Sequence, residues 1–367
     1  MLFLKEDKRM SHEIKRLQGG GRNSNIELLR VTAMSLIILH HMMVHGLNPG
    51  VHSILYANLS STIYPVLEIG VNLFFIISGY FGVKLSLQSI LKLAFIIFLF
   101  TIVNYLICLP FNIYPTLDIF LNVLFPISKA NYWFISVYLG IIMVSPLINM
   151  GLNGLDRNIL RSFIVVFTFF TVYSCGFAHN TSTPSGYTFL QGLYLYCLAH
   201  FFYCEQRALR ALNIKKCFML FVILVIVSGL GEAYTPLGPC LFDNYNGLFI
   251  IGLSALLFIV FTKIEIQNKL VNYIASCALG CYLLQDGFFG TNLLYPFLNK
   301  LGMSENTIIE KSLIFISIFL FTWIASLIIS PFINHIATFL SKHISTKIPQ
   351  KVNDIFNNGC VIKNQIR

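Results

Sequence analysis

Long apolar segments alternate with short polar segments along most of the chain, and this pattern predicts helices that cross a membrane. A helix needs about 20 mainly apolar residues to span the hydrocarbon core of a bilayer. Ten segments approach this length, with approximate limits at 26–46, 65–83, 90–109, 131–149, 160–178, 187–204, 217–232, 246–262, 271–289 and 309–333. The apolar stretch at 117–127 is shorter, and it is predicted to be re-entrant or interfacial. The pattern therefore predicts an all-α polytopic membrane protein with about ten transmembrane helices.

The distribution of basic residues tests this number of spans. With the N-terminus placed in the cytoplasm, all but four of the 25 Lys and Arg residues fall in segments predicted to lie inside. The four exceptions are Lys129 and Lys300 in outside loops, Arg30 in the first span and Lys311 at the outer edge of the last. Cytoplasmic loops carry an excess of Lys and Arg, and a wrong number of spans would mix the two sides. Both termini are therefore predicted to be cytoplasmic.

The pattern indicates one membrane domain with polar ends. Residues 1–25 are predicted to be a basic cytoplasmic N-terminal extension, 26–333 the membrane domain, and 334–367 a basic cytoplasmic tail. No Gly/Ser linker or low-complexity block divides the membrane domain. The first apolar segment is too long for the apolar region of a signal peptide and lacks a small-residue cleavage site, so no cleavable leader is expected.

Composition agrees with a membrane protein and restricts its partners. Hydrophobic residues make up 56% of the chain and charged residues 11%, against about 25% charged residues in soluble domains. The net charge of +10 is explained by a basic cytoplasmic rim that meets anionic lipid headgroups, with attraction of an anionic substrate as a second use. No nucleic-acid partner is predicted. The nine cysteines include no C-x-x-C pair and no His/Cys cluster with zinc spacing, so no metal site is predicted.

The first span carries five ionisable side chains. Such groups are costly in hydrocarbon and usually face a protein interior where they have a function. A helix turns about 100° and rises about 1.5 Å per residue, so His41 lies within about 20° of the face of Arg30 and about 16 Å further along the axis. Glu27 and His45 lie within about 60° of that face, whereas His40 is rotated away by about 80°. The residues predicted to form one polar stripe through the membrane are Glu27, Arg30, His41 and His45.

This span, I-E-L-L-R-V-T-A-M-S-L-I-I-L-H-H, resembles the signature of the acyltransferase 3 family of integral membrane acyltransferases. The first helix of that family has an acidic residue, then an Arg after two further residues, then a His at the spacing found here between Arg30 and His41. Glu27 matches the acidic position, where Asp is more usual. The alternative interpretation is a buried structural Glu–Arg pair with incidental histidines.

Two later segments also resemble the family. The second span reads E-I-G-V-N-L-F-F-I-I-S-G-Y-F, in which Asn72 replaces the Asp of the similar family motif. The small residues Ser78 and Gly79 are predicted to let helices pack closely there. The ninth segment reads A-S-C-A-L-G-C-Y-L-L-Q-D-G, in which Gln285 stands at the position of a family His and Asp286 is kept. The absence of that His favours the first span as the location of the chemistry.

The resemblance implies transfer of an acyl group, most often acetyl from acetyl-CoA, to a hydroxyl group of a sugar. An alcohol needs a base to take its proton, and His is suited to that task near neutral pH. The resemblance assigns His41 as this base or as an acyl-carrying nucleophile. Arg30 is then expected to bind the donor near the cytoplasmic face, with Glu27 orienting it. Lys92 stands near an Arg-rich stretch of the family, and it is either a second contact to the donor or a positive-inside anchor.

The acceptor is expected to approach His41 from outside. The start of the fourth span, N-Y-W-F, is similar to the branch of the family that acylates bacterial surface polysaccharides. Aromatic rings stack on sugar faces, so Tyr132 and Trp133 are candidates for binding the acceptor. His45, on the polar stripe, is a further candidate for substrate binding.

These features predict a multi-pass O-acyltransferase of the bacterial cytoplasmic membrane. Its expected substrates are an acyl-CoA, with acetyl-CoA favoured, and a surface polysaccharide or its lipid-linked precursor. A transporter or flippase of polysaccharide intermediates also needs a polar path, but the sequence shows no inverted repeat and no matching pair of Gly/Pro-broken spans. A structural membrane subunit leaves Arg30 and His41 without a use. The sequence specifies neither the acceptor glycan nor the oligomeric state.

Overall fold

A computed structural model describes residues 23–47, 54–113, 132–176, 184–235, 241–242, 244–303 and 307–348, together with the single positions 116, 117, 121 and 125. Three predicted features lie mostly outside these described residues. They are the N-terminal extension, the apolar stretch at 117–127 and the second half of the C-terminal tail.

Every described element of regular secondary structure is helical, as predicted. The α-helices are α1 (Ser24–His41), α2 (Ile54–Phe81), α3 (Leu87–Cys108), α4 (Trp133–Gly154), α5 (Arg157–Gly176), α6 (Phe189–Cys204), α7 (Gln206–Ala211), α8 (Ile214–Tyr234), α9 (Leu248–Thr262), α10 (Lys269–Ser276), α11 (Ala278–Gln285), α12 (Tyr295–Met303) and α13 (Ile308–Lys347). π-helical turns occupy Met42–Leu47, directly after α1, and Gly290–Leu294, directly before α12. A 3₁₀ turn at Pro184–Gly186 precedes α6.

Within the described residues, six helices are long and apolar enough to cross a membrane, judged by length and composition. The segments concerned are Ser24–Gly46, Thr62–Phe81, Leu87–Phe111, Trp133–Gly154, Ile214–Tyr234 and Ile309–Lys347. Two shorter apolar helices, α6 and α9, lie at two more of the predicted spans. The total of about ten spans and the cytoplasmic location of both termini remain predictions.

Two predicted spans differ from the observed helices. The segment 271–289 contains two short helices separated at Cys277 instead of one continuous helix, and the second ends at Gln285. Asp286 and Gly287 follow, and both residue types are poor helix formers. The last helix, by contrast, is longer than predicted: α13 continues past residue 333 to Lys347. The first part of the predicted tail therefore belongs to this helix.

The central helix of the bundle is α2, which packs against α1, α6, α8 and α9. Glycines allow this close approach. A Cβ atom at Gly70 would lie 2.6 Å from the carbonyl oxygen of Ala33, and one at Gly79 would overlap the backbone of Tyr196. Gly79 therefore has the packing role predicted for it. Ser78 lines an internal cavity, and its hydroxyl donates to the carbonyl oxygen of Phe74 at 2.8 Å.

The bundle encloses α1, the helix with the ionisable side chains. Helices α2, α9, α10 and α11 all contact it. Its first residues are fixed by hydrogen bonds to the polar segment between α9 and α10 and to the end of α9. The backbone N–H of Asn268 donates to Ser24 Oγ at 3.0 Å, and Asn25 Nδ2 donates to the carbonyl oxygen of Phe261 at 3.0 Å. Of the ionisable side chains of α1, Glu27, His40 and His41 are buried in the protein.

Candidate active site

A cavity of about 230 Å³ lies inside the helix bundle along α1. Sites that enclose a whole drug-sized ligand typically measure about 300–1,000 Å³, so this cavity fits a small group or one end of a larger molecule. Its walls come from α1, α2, α3, α4 and α11 and from the turn that precedes α9. The lining is mainly apolar, and its polar and amphipathic members are Arg30, His41, Ser78, Trp133, Tyr138, Tyr245 and Tyr282.

An ion pair within α1 positions Arg30 at this cavity. Arg30 Nη1 donates to Glu27 Oε1 at 2.5 Å, across one turn of the helix. Glu27 is buried, whereas 35% of the Arg30 side chain is exposed. A guanidinium group has five N–H donors, and this bond uses one of them. The ion pair holds the Arg30 side chain against Glu27 and leaves N–H donors for other partners.

His41 lies on the cavity at the C-terminal end of α1, about 16 Å along the helix axis from Arg30. The residue is 8% exposed, and its Nδ1 atom has no hydrogen-bond partner among the described residues. Its ring lies 6.3 Å from the ring of Tyr282, measured between centroids. In a neutral imidazole one ring nitrogen carries a lone pair that accepts a proton or attacks an electrophile. His41 thus lines the cavity and also keeps a buried ring nitrogen without a partner among the described residues.

His40 has different surroundings, although it is the next residue. Its Nε2 atom lies 3.9 Å from Glu68 Oε1, and its ring meets the ring of Tyr64 edge-on at 6.1 Å between centroids. It is buried but does not belong to the described lining of the cavity. The helix therefore directs the two histidines to different neighbours, in the sense given by the helical wheel.

A change of helix type follows His41 directly. The chain passes from α-helix into the π-helical turn Met42–Leu47, a rare geometry that often occurs at functional sites. The α-helical rotation used to place His45 on the polar stripe does not apply in this turn. His45 is exposed, and its ring lies 5.6 Å from that of His41 and 5.4 Å from that of Tyr295. Among the described residues it contacts the base candidate but does not line the cavity.

The remaining predicted site residues divide into one that lines the cavity and two that do not. Trp133 lines it. Tyr132 is buried beside it, where its hydroxyl donates to the carbonyl oxygen of Leu283 at 3.4 Å. Lys92 is half-buried on α3 and is absent from the described lining, although its neighbour Leu93 is part of it. The functional roles of all these residues remain predictions.

The three tyrosines of the described lining were not identified from the sequence as site residues: Tyr138, Tyr245 and Tyr282. Tyr282 belongs to the ninth-segment motif, three residues before Gln285, so the motif itself contained a signal for it. Tyr138 lies five residues after Trp133, about 140° around an ideal helix, so helical spacing from Trp133 did not indicate that both face the cavity. Tyr245 lies in a turn between helices, and no helical periodicity indicated that it faces the interior.

The ninth-segment motif also brings an unusual amide into the protein. Gln285, which stands where the resembling motif has His, is fully buried, and neither polar atom of its side chain has a partner among the described residues. Asp286 lies close to Tyr282 and within electrostatic reach of His45. The predicted departure from the family at position 285 thus leaves a neutral amide near the cavity wall.

A helical bundle with several membrane-length apolar helices, enclosing a cavity with a buried histidine and an ion-paired arginine, defines a multi-pass membrane protein with an internal polar site. The chain matches the acyltransferase domain of the acyltransferase 3 family over residues 23–331. The protein therefore belongs to that family of membrane acyltransferases, and the resemblance of the first span is confirmed. Comparisons with curated proteins and with solved structures gave no match.

Proposed function

We propose that the protein is an O-acyltransferase of the bacterial cytoplasmic membrane. It transfers an acyl group, acetyl in the simplest case, from acyl-CoA to a sugar hydroxyl of a surface polysaccharide or its lipid-linked precursor. The observation that carries this proposal is the joint location of Arg30 and His41 on one internal cavity. Arg30 offers a cation for an anionic donor, and His41 offers a buried nitrogen without a partner at the opposite end of the same helix.

The volume of the cavity supports a division of the donor between two environments. At about 230 Å³ the cavity is too small for a complete nucleotide thioester and large enough for its acyl end. The phosphates would then lie at the cytoplasmic mouth, where the partly exposed guanidinium of Arg30 binds them as a planar fork. Lys92 on α3 is the candidate for a second, point-charge contact at that mouth. The pantetheine arm would extend from there towards His41.

Two routes satisfy the chemistry at His41. In the first, the imidazole takes the proton of the sugar hydroxyl, the hydroxyl oxygen attacks the thioester carbonyl, and the C–S bond breaks as the proton passes to the departing CoA sulfur. In the second, the imidazole nitrogen attacks the thioester and releases CoA, and the sugar hydroxyl then takes the acyl group from the imidazole. Both routes yield one sugar ester and one free CoA thiol for each thioester consumed.

Analysis of surface polysaccharide tests the proposal. Cells with and without the protein are compared for alkali-labile acyl groups on purified cell-surface glycan, and the released acids are identified. We expect ester-linked acyl groups that are present only when the protein is present. Identical ester content in both cell types, together with a changed amount of exported glycan, would instead support a transporter of glycan intermediates.

A further inference from the structure

The turn Asn244–Gly247, which connects to the start of α9, carries one ring into the cavity. The backbone N–H of Gly247 donates to the carbonyl oxygen of Asn244 at 2.7 Å and closes the turn. Tyr245 lies within it, is only 3% exposed, and lines the cavity. A loop residue of a membrane protein that is buried this deeply needs contacts that fix the turn against the bundle.

Two side-chain amides supply those contacts. The carbonyl oxygen of Tyr245 accepts two hydrogen bonds, one from Asn72 Nδ2 of α2 at 2.8 Å and one from Gln191 Nε2 of α6 at 2.9 Å. A carbonyl oxygen only accepts, so the amide nitrogens must face it. Both amides are buried, and their oxygen atoms have no partner among the described residues. Two helices thus each bury a polar side chain, which costs free energy, to bind one backbone oxygen atom.

Asn72 is informative because of what it replaces. The similar family motif has Asp at this position, and an ionised carboxylate accepts hydrogen bonds but donates none. An Asp at this position would have to be protonated to donate to the Tyr245 carbonyl oxygen as the amide does. Asn72 supplies the donor without any change of protonation.

The tethered turn brings three aromatic rings together: Trp133 and Tyr245 line the cavity, and Tyr187, which is 47% exposed, packs against both. Ring centroids are separated by 4.9 Å between Tyr187 and Tyr245, 4.7 Å between Trp133 and Tyr187, and 5.7 Å between Trp133 and Tyr245. We call these three residues the aromatic wall. Gly186 adopts φ +80°, and a Cβ atom there would lie 2.7 Å from the Cβ atom of Tyr245, so only glycine lets the segment before α6 approach the turn.

The aromatic wall has the chemistry of a sugar-binding surface. Aromatic faces pack on the C–H faces of a sugar ring, and phenol and indole groups add hydrogen bonds at the ring edge. Burial raises the pKa of Tyr245 well above its usual range, so its hydroxyl stays protonated, and it is hydrogen-bonded to the side chain of Tyr187. A lipid-facing aromatic belt is the ordinary use of Trp and Tyr near membrane boundaries. Tyr245 does not fit that use, because it is buried and faces the cavity.

We propose that the aromatic wall of Trp133, Tyr187 and Tyr245 is the subsite for the acceptor sugar, and that Asn72 and Gln191 are positioning residues that fix it through the Tyr245 carbonyl oxygen. This inference rests on the proposed transfer to a sugar hydroxyl and adds where the sugar binds. In this proposal the acceptor binds at the aromatic wall and the donor phosphates bind at Arg30, and His41 lines the same cavity.

Kinetics of the full-length protein in detergent test the subsite. The donor is acetyl-CoA, and the acceptor is cell-surface polysaccharide from the producing cells after alkaline removal of its esters. We expect Tyr245→Leu and Asn72→Asp each to raise the acceptor KM about tenfold or more, and to raise it more than the donor KM. Tyr245→Phe, which keeps the ring, should stay within a few-fold of wild type. Asn149→Asp is the matched control, since that amide donates to the carbonyl oxygen of Val83 and not to Tyr245.

The outcomes separate this inference from the proposed function. An unchanged acceptor KM in a folded Tyr245→Leu protein overturns the subsite, as does an equal rise in the donor KM. Because Asn72→Asp is at risk of misfolding, Tyr245→Leu, which keeps the backbone carbonyl and its tether, carries the test alone if needed. Retention of the de-esterified polysaccharide by immobilised protein is measured in parallel. If the wild-type protein retains the polysaccharide and Tyr245→Leu abolishes that retention, the subsite is supported. If no acyl transfer occurs in the same experiment, only the proposed reaction is overturned.

Discussion

Replacement of Arg30 tests whether the polar stripe of α1 binds an anionic acyl donor. Arg30→Ala alone has two effects: it removes the guanidinium from the cavity, and it leaves the buried Glu27 without its ion-pair partner. Removing one partner of a buried pair costs roughly 3–5 kcal/mol, and the 35% exposure of the Arg30 side chain lowers that figure here. The informative variant therefore combines Arg30→Ala with Glu27→Gln, which removes the guanidinium without leaving a buried carboxylate unpaired.

The size of the expected effect follows from the lost contact. A hydrogen bond to a charged group is worth about 1.5–3 kcal/mol, so the double variant should raise the donor KM about 10- to 100-fold. CoA release by the purified protein is measured over a range of acetyl-CoA concentrations at fixed acceptor. Arg30→Lys should recover only part of the loss, because a point charge lacks the guanidinium fork. Glu27→Gln alone is the control, and it should shift the donor KM less than the double variant.

A folded double variant with an unchanged donor KM would refute the role of Arg30. A rise in the acceptor KM with no change in the donor KM would place the acceptor, and not the donor, at the Arg30 end of the cavity.

Three further predictions concern topology and packing. Cysteines introduced within 205–216 should be labelled only from the cytoplasmic side and those within 47–64 only from outside, and the reverse would contradict the proposed orientation. Gly79→Leu should abolish accumulation of folded protein in membranes, since a Cβ atom there overlaps the Tyr196 backbone, whereas Gly151→Leu meets nothing within 4 Å and should be tolerated. Gln285→Leu should leave the Tm in detergent unchanged or raise it, because the buried amide has no partner among the described residues, and a fall in Tm would show that one exists.

The parts of the fold that sequence analysis predicted are those that local patterns determine. Long apolar runs gave the positions of most helices, since burial in lipid requires them. The constant rotation of an α-helix placed Arg30 and His41 on one face and turned His40 away, and in the structure the first two line the cavity while His40 faces Glu68. Those relations lie within single helices, so they are visible without tertiary information.

The parts that sequence analysis missed depend on contacts between distant segments. Tyr245 faces the cavity because Asn72 and Gln191 bind its carbonyl oxygen from two other helices, a relation that no periodicity encodes. The break at Cys277 was hidden because the surrounding residues are apolar enough to continue one helix. The π-helical turn after His41 was not predicted either, and His45, which lies within it, contacts His41 but is absent from the described lining of the cavity.

The account depends most directly on His41, and replacement of each neighbouring histidine tests it. Gln keeps hydrogen bonding but accepts no proton near neutral pH, so His41→Gln and His40→Gln compare two adjacent buried rings by one chemical change. The measurement is the amount of ester-linked acyl group on cell-surface polysaccharide at matched protein levels. A positioned base contributes about 10²- to 10⁴-fold, so His41→Gln should remove at least about 99% of the ester, whereas His40→Gln should keep most of it. Equal residual acylation in the two variants, or loss only with His40→Gln, would contradict the assignment of the chemistry to His41.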